Sequence, residues 1–264
     1  MLPQERLIAR VRQLCQDDER LVAALTYGSF AQGSADAHSD IEFWLFSETP
    51  VDTRAWLAGI GPIGHVVVNE FGAHVVFFPG LIRGEFHFAT NIDAVRTWPA
   101  RGAASDRMIV LDRTGALREA LDALPAAASP PATPEAIGEL CGRFANWLLL
   151  AHHVARRGEL LRALDALTYA QRHLLWMTRL TENSTHHWLT PSRSAERDLS
   201  PSALLALHRT AATADPHAIS EAITAAWTHG SRCWRRLATH TGFPIPEPLF
   251  TELDAALIRP PAGH

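Results

Sequence analysis

The amino-acid sequence predicts an N-terminal α/β or α+β domain joined to a C-terminal antiparallel helical bundle. Three observations carry this reading. Strand-like runs rich in β-branched and aromatic residues crowd the first half of the 264 residues, helical periodicity dominates the second half, and an uncharged Pro-rich stretch, LPAAASPPATP, lies between them. That stretch, residues 124–134, reads as a linker between a first domain over 1–125 and a second over 134–264.

The first domain opens on a helix. Within residues 4–16, Leu7, Ile8, Val11, Leu14 and Cys15 recur along one helical face. A short apolar run from Leu21 to Tyr27 ends at a Gly-Ser. Ile41 to Phe46, His65 to Val68, Ala73 to Phe78, Leu81 to Phe88 and Met108 to Leu111 then follow as strands. Several are apolar on both faces, so helices should cover the sheet.

In the second domain three helices open with one device, a capping side chain followed by Pro: Thr133-Pro134, Ser200-Pro201 and Asp215-Pro216. The first carries Ile137, Leu140, Cys141, Phe144, Leu148, Ala151 and Ala155 on one stripe and stops at Gly158. A second continues with Leu160, Leu164, Leu167 and Leu174. Another carries Ile219, Ala222, Ile223, Ala226, Gly230, Cys233 and Leu237. Short connections between such helices imply antiparallel neighbours.

Composition narrows the function. No apolar run approaches the ~18 residues of a membrane span. The opening MLPQER lacks the basic-then-apolar form of a secretion signal, which predicts a cytoplasmic protein. Cys15, Cys141 and Cys233 are far apart, form no CxxC pair, and read as core residues. All 24 basic side chains are Arg, which excludes a Walker-A lysine, a Schiff-base lysine and a Ser-Lys nucleophile. Residues 1–125 hold 11 Arg against 16 acids and residues 126–264 hold 13 against 12, so neither half offers the basic face of a nucleic-acid partner.

The segment that carries chemistry is Thr26 to Phe46, TYGSFAQGSADAHSDIEFWLF. A Gly-Ser at a strand end, Gly28-Ser29, can turn tightly and present backbone N–H groups and a hydroxyl to a phosphate. Asp40 and Glu42, two apart on a strand, share one face and make a hard-oxygen site for magnesium with the phosphates of a nucleotide. Phe43 to Phe46 carry that strand into a core, where solvated acids are out of place. A third carboxylate is needed, to complete the metal site or to take a proton from an acceptor hydroxyl. Glu85 fills this role in the strand LIRGEFHF, sharing a face with His87 while Phe86 and Phe88 take the other. Glu70, in Asn69-Glu-Phe-Gly72, is a weaker candidate because it falls at a hairpin turn.

At these residues the sequence resembles the nucleotidyltransferase superfamily that includes the antibiotic nucleotidyltransferases. More narrowly, Tyr27-Gly-Ser-Phe30, Ser39-Asp-Ile-Glu-Phe43, Asn69-Glu-Phe-Gly72 and Leu81-Ile-Arg-Gly-Glu-Phe-His-Phe88 together look like the lincosamide nucleotidyltransferases. The resemblance covers about the first ninety residues and persists weakly at Asn146-Trp147 and Arg157-Gly-Glu159. It implies an α+β architecture: a mixed β-sheet flanked by helices as the catalytic domain, and a helical C-terminal domain. It implies magnesium, ATP or another NTP as co-substrate, transfer of a nucleoside monophosphate to a lincosamide hydroxyl, and release of pyrophosphate. Dimers are common among such proteins. The position matching Glu85 would be the general base, and those matching Asp40 and Glu42 would hold the metals. One departure stands out. Some relatives carry a basic residue shortly after the Gly-Ser, where this chain has Ala31-Gln32-Gly33, which leaves triphosphate contacts to Ser29, backbone amides and an Arg from elsewhere.

The remaining residues have plainer readings. His87 is a satisfied, partly buried histidine that touches Glu85 or the acceptor, and Arg83 either touches phosphate or forms an ion pair with Glu85 on its own strand. His152-His153 and His186-His187 lack zinc spacing and flanking acids, and adjacent residues on a helix diverge by about 100°. Trp147, Trp176, Trp227 and Trp234 pack the bundle. Two other functions keep the same residues: nucleotidylation of a different small molecule such as an aminoglycoside, or an antitoxin-like module that binds a protein. The first is disfavoured because the second domain has no run of acids for a polycationic drug. The second is disfavoured because both metal carboxylates are present.

Overall fold

The computed structural model describes residues 2–258, and the chain divides into two units, Met1–Ala128 and Ser129–His264. The first unit runs α1 (Pro3–Asp17), β1 (Leu21–Thr26), α2 (Gly28–Gln32), β2 (Ile41–Ser47), α3 (Thr53–Ala58), β3 (His65–Val68), β4 (His74–Phe78), β5 (Ile82–Ala89), α4 (Asp93–Arg96), α5 (Ser105–Met108), β6 (Ile109–Asp112) and α6 (Ala116–Asp122). Its six strands form one sheet in the order β3-β4-β5-β2-β1-β6. The β2–β5 pair is parallel and the other four pairs are antiparallel, so the sheet is mixed.

Period-two alternation sorts the strand residues onto two cores. Ile41, Phe43 and Leu45 of β2 and Phe86 of β5 are fully buried against Val11 and Cys15 of α1 and Trp56 and Leu57 of α3. Phe46 of β2 and Leu25 of β1 turn the other way, onto Val95, Met108, Leu117 and Leu121 of the later short helices. Each such side chain stabilises the unit by roughly 1.5–3 kcal/mol when taken from water, which ties β2 firmly in the middle of the sheet. The helical face expected over residues 4–16 is the one α1 buries, with Leu7, Ile8 and Leu14 packed beside Val11 and Cys15.

The second unit contains α7 (Pro134–Arg156), α8 (Leu160–Thr181), α9 (Ala195–Asp198), α10 (Pro201–His208), α11 (Pro216–Thr241) and α12 (Glu247–Leu257). Its three Pro-initiated helices start where the sequence places them. Thr133 accepts from the Ala136 N–H, Ser200 from Ala203, and Asp215 from His217 and Ala218. Three residues, 157–159, join α7 to α8, which makes those two antiparallel. The segment 182–215 then returns the chain, so Thr178 and Thr181 of α8 meet His229 and Cys233 of α11 in rising order and these two helices run the same way. Phe144 of α7 stacks on Trp227 of α11 at 6.5 Å and lies on Gly230, where a β-carbon would sit 2.3 Å from its ring. Trp227 and Trp234 are buried as expected, and Trp147 and Trp176 are partly buried against the same core. Among the described residues no helix is long and apolar enough to cross a membrane.

Candidate active site

Alternation places Glu42 and Trp44 of β2, with Asp40 just ahead of the strand, on the sheet face opposite Ile41, Phe43 and Leu45. On β5 the same face carries Arg83, Glu85 and His87. The parallel register sets Glu42 directly opposite Glu85, and Trp44 opposite His87. Two carboxylates at facing positions repel, and a sheet keeps such a pair only where positive charge or donors offset it.

The offset is visible around Glu85. The Arg83 guanidinium bridges two acids: one nitrogen donates to Asp40 Oδ2, and the other donates to Glu85 Oε2 at 2.6 Å. Glu85 Oε1 accepts from the Tyr27 hydroxyl at 3.1 Å and lies 3.2 Å from His87 Nε2. Burial would raise the Glu85 carboxyl, but Arg83, His87 and Tyr27 together hold it below its ordinary value. Burial pushes His87 below the usual imidazole value despite the pull of Glu85, so it is neutral near pH 7. Burial and the neighbouring Glu85 and Glu42 push the Tyr27 phenol far up, which keeps it a hydrogen-bond donor. His87 also stacks flat on Trp44, with ring centroids 4.1 Å apart, and Trp98 closes an aromatic wall with Tyr27 at 6.1 Å and Trp44 at 5.9 Å.

Glu42 is positioned by close approach. Tyr27 N–H donates to the Glu42 carbonyl at 3.2 Å, and Gly28 follows with φ +68°. A β-carbon on Gly28 would fall 1.5 Å from Glu42 Oε2, so only glycine lets this backbone lie on that carboxylate. Gly28-Ser29 opens the short helix α2 rather than a simple turn. A phosphate held at this backbone would sit beside the Glu42 carboxylate, and the two anions need a cation between them. The acidic oxygens present suit a hard divalent ion such as magnesium.

Some residues were not legible in the sequence. Arg107 of α5 brings its guanidinium over Gly33, 2.5 Å from where a β-carbon would be, and donates to the Gln32 carbonyl at 3.4 Å. Positive charge thus reaches the end of α2 from 75 residues downstream of Gln32, at the stretch whose own sequence has none. Trp44 was findable as the next residue on the Glu42 face; Trp98 and Arg107 carry no local signal. Glu70 is not brought to this group. It lies exposed in the turn between β3 and β4, where Asn69 Oδ1 accepts from Phe71 and Ala73, with β4 and β5 between the edge strand β3 and β2. His186 and His187 also differ from the helical reading. They occupy turns, their rings are 4.3 Å apart, and both face Asp198.

These features define a two-unit protein, a mixed sheet that carries acids on one face and a helical unit after it. Residues 133–255 match the family described as "Lincosamide nucleotidyltransferase-like, C-terminal domain". Among solved structures, the chain is similar to an aminoglycoside 6-adenyltransferase from Bacillus subtilis, with 12% identity, 97% of this chain and 99% of that one covered, and a TM-score of 0.46. It is also similar to a nucleotidyltransferase-like protein from Exiguobacterium sibiricum, with 12% identity, coverage of 96% and 88%, and a TM-score of 0.39. No curated protein sequence matches the chain.

Proposed function

We propose that this protein is an antibiotic nucleotidyltransferase that moves a nucleoside monophosphate from ATP or another NTP onto a hydroxyl of a lincosamide, releasing pyrophosphate and inactivating the drug. Two separate stretches point to one family: the motifs of the first ninety residues by resemblance, and residues 133–255 by the domain match. The observation that carries the chemistry is the facing pair Glu42 and Glu85 beside Gly28, with Asp40 two residues before Glu42.

Asp40, Glu42 and Glu85, whose oxygens do not all come within 4.8 Å of one another, would hold magnesium, which supplies the charge neutralisation that a triphosphate needs in a chain without lysine. Gly28 and Ser29 line the triphosphate through backbone N–H groups and a hydroxyl, with the Arg107 guanidinium at the far end of the same short helix. Glu85 accepts the proton of the attacking hydroxyl. Tyr27 and His87 fix its Oε1, and Arg83 keeps it ionised. His87 and the Trp44–Trp98 wall offer an apolar surface to the acceptor. Positioning and charge placement at the α-phosphate supply most of the rate.

The test is mass detection of nucleotidylated product over a drug panel, with ATP, GTP, CTP and UTP in turn. Lincomycin or clindamycin should gain one nucleoside monophosphate only when magnesium is present. Unmodified lincosamides alongside a modified kanamycin would transfer the reading to aminoglycosides. A stable protein partner with no turnover of any small molecule would replace it with a binding role.

A further inference from the structure

The second unit holds a cluster that the transfer reaction does not use. We infer that His186, His187 and Asp198 form a zinc site, chemically distinct from the oxygen site proposed on the sheet. They are the one set of three His, Cys, Asp or Glu groups among the described residues whose donor atoms all lie within 4.8 Å of one another.

The geometry fits a first-row ion. Around a tetrahedral ion with bonds of ~2.0 Å, ligand atoms stand about 3.3 Å apart. Here Asp198 Oδ2 is 3.0 Å from His186 Nε2 and 3.8 Å from His187 Nε2, values that bracket that edge. Two imidazoles and one carboxylate are the donors of zinc rather than magnesium.

Asp198 supplies a second, independent observation. Its side chain is only 8% exposed, yet Oδ2 is buried without a hydrogen-bond partner and is aimed between the two rings. The fully buried Arg179 does not satisfy it. Arg179 Nε donates to the Pro191 carbonyl at 2.6 Å, one terminal nitrogen to Ser184 O and Oγ, and the other to the Arg193 carbonyl at 2.6 Å. Its approach to Oδ2 is 3.6 Å. Those bonds fold residues 184–193 around the guanidinium and bring the two histidines out of helical geometry onto Asp198. His186 is 56% exposed, which leaves solvent access to the fourth position of the ion. Bound zinc would clamp the turn after α8 to α9.

The experiment is calorimetric titration of metal-stripped full-length protein with zinc chloride alone, in the Asp40→Asn/Glu42→Gln background so that the sheet acids cannot contribute. One equivalent should bind, and zinc should raise the melting temperature. His186→Ala and His187→Ala should each weaken binding by more than about a hundredfold, beyond the ~10–100-fold cost of losing a residue that merely supports a ligand. His186 is exposed, so its variant folds even if Asp198→Asn, which removes a buried charge, does not. Cobalt in place of zinc should give visible bands that vanish in the same variants. No zinc bound, or binding unchanged in His186→Ala, overturns the inference. Neither result bears on nucleotide transfer, which is assayed separately in the wild type.

Discussion

Glu42 and Glu85 face each other across the parallel pair β2 and β5, with Arg83 tied both to Glu85 and to Asp40. Like charges directly opposite each other cost a sheet ~0.2–1 kcal/mol, a cost that the divalent ion proposed above would offset. Asp40→Asn and Glu42→Gln should therefore abolish nucleotide transfer while leaving the circular dichroism spectrum unchanged. A folded Glu42→Gln variant with wild-type turnover would remove the metal role from this residue.

Glu85 has a different task from its neighbour. Its Oε1 is held by Tyr27 and His87, the arrangement of a group whose orientation matters as much as its charge. Glu85→Gln preserves shape and one acceptor oxygen but cannot take a proton. Turnover should fall on the order of 10² to 10⁴, with nucleotide affinity kept, as equilibrium dialysis with radiolabelled nucleotide would show. A loss of affinity equal to the loss of turnover would assign Glu85 to the metal alone.

The acid limb of the rate profile reports on Arg83. Glu85 titrates below its ordinary value in the fold, so the stabilisation it gives is present above the ordinary carboxylate value and fades as pH falls through the lowered one. In Arg83→Gln the burial that raises this carboxyl remains while its main opposing charge is lost. The acid limb of kcat/KM should then move to higher pH, with the plateau reached later. An unmoved limb in a folded variant would mean that another group sets it.

How much of this was legible depends on how local the cause is. Thr133, Ser200 and Asp215 announced three helices because a cap and a following Pro act within four residues. The shared face of Glu42 and Trp44 follows from strand alternation alone. The register that sets Glu42 against Glu85 does not, since it depends on a crossover that packs α3, β3 and β4 before the chain returns to β2's side. Arg107 reaches the end of α2 through tertiary packing, and no spacing rule connects residues 33 and 107. The helical reading of His186-His187 failed for a related reason: buried Arg179 gathers the carbonyls of Ser184, Pro191 and Arg193 and folds the segment into turns.

Gly28 gives the most direct test of the contact between the backbone proposed to hold the phosphates and the acids. Its φ of +68° costs an alanine roughly 1–2 kcal/mol, and the added β-carbon would overlap Glu42 Oε2. Gly28→Ala should accordingly lower stability by about that amount in chemical denaturation and reduce turnover nearly as far as Glu42→Gln, because the carboxylate must swing away. The double variant Gly28→Ala/Glu42→Gln should lose little further activity, since both changes remove one function, and strong coupling is expected between residues in contact. If the two losses instead multiply, Gly28 acts on the nucleotide by a route that does not pass through Glu42.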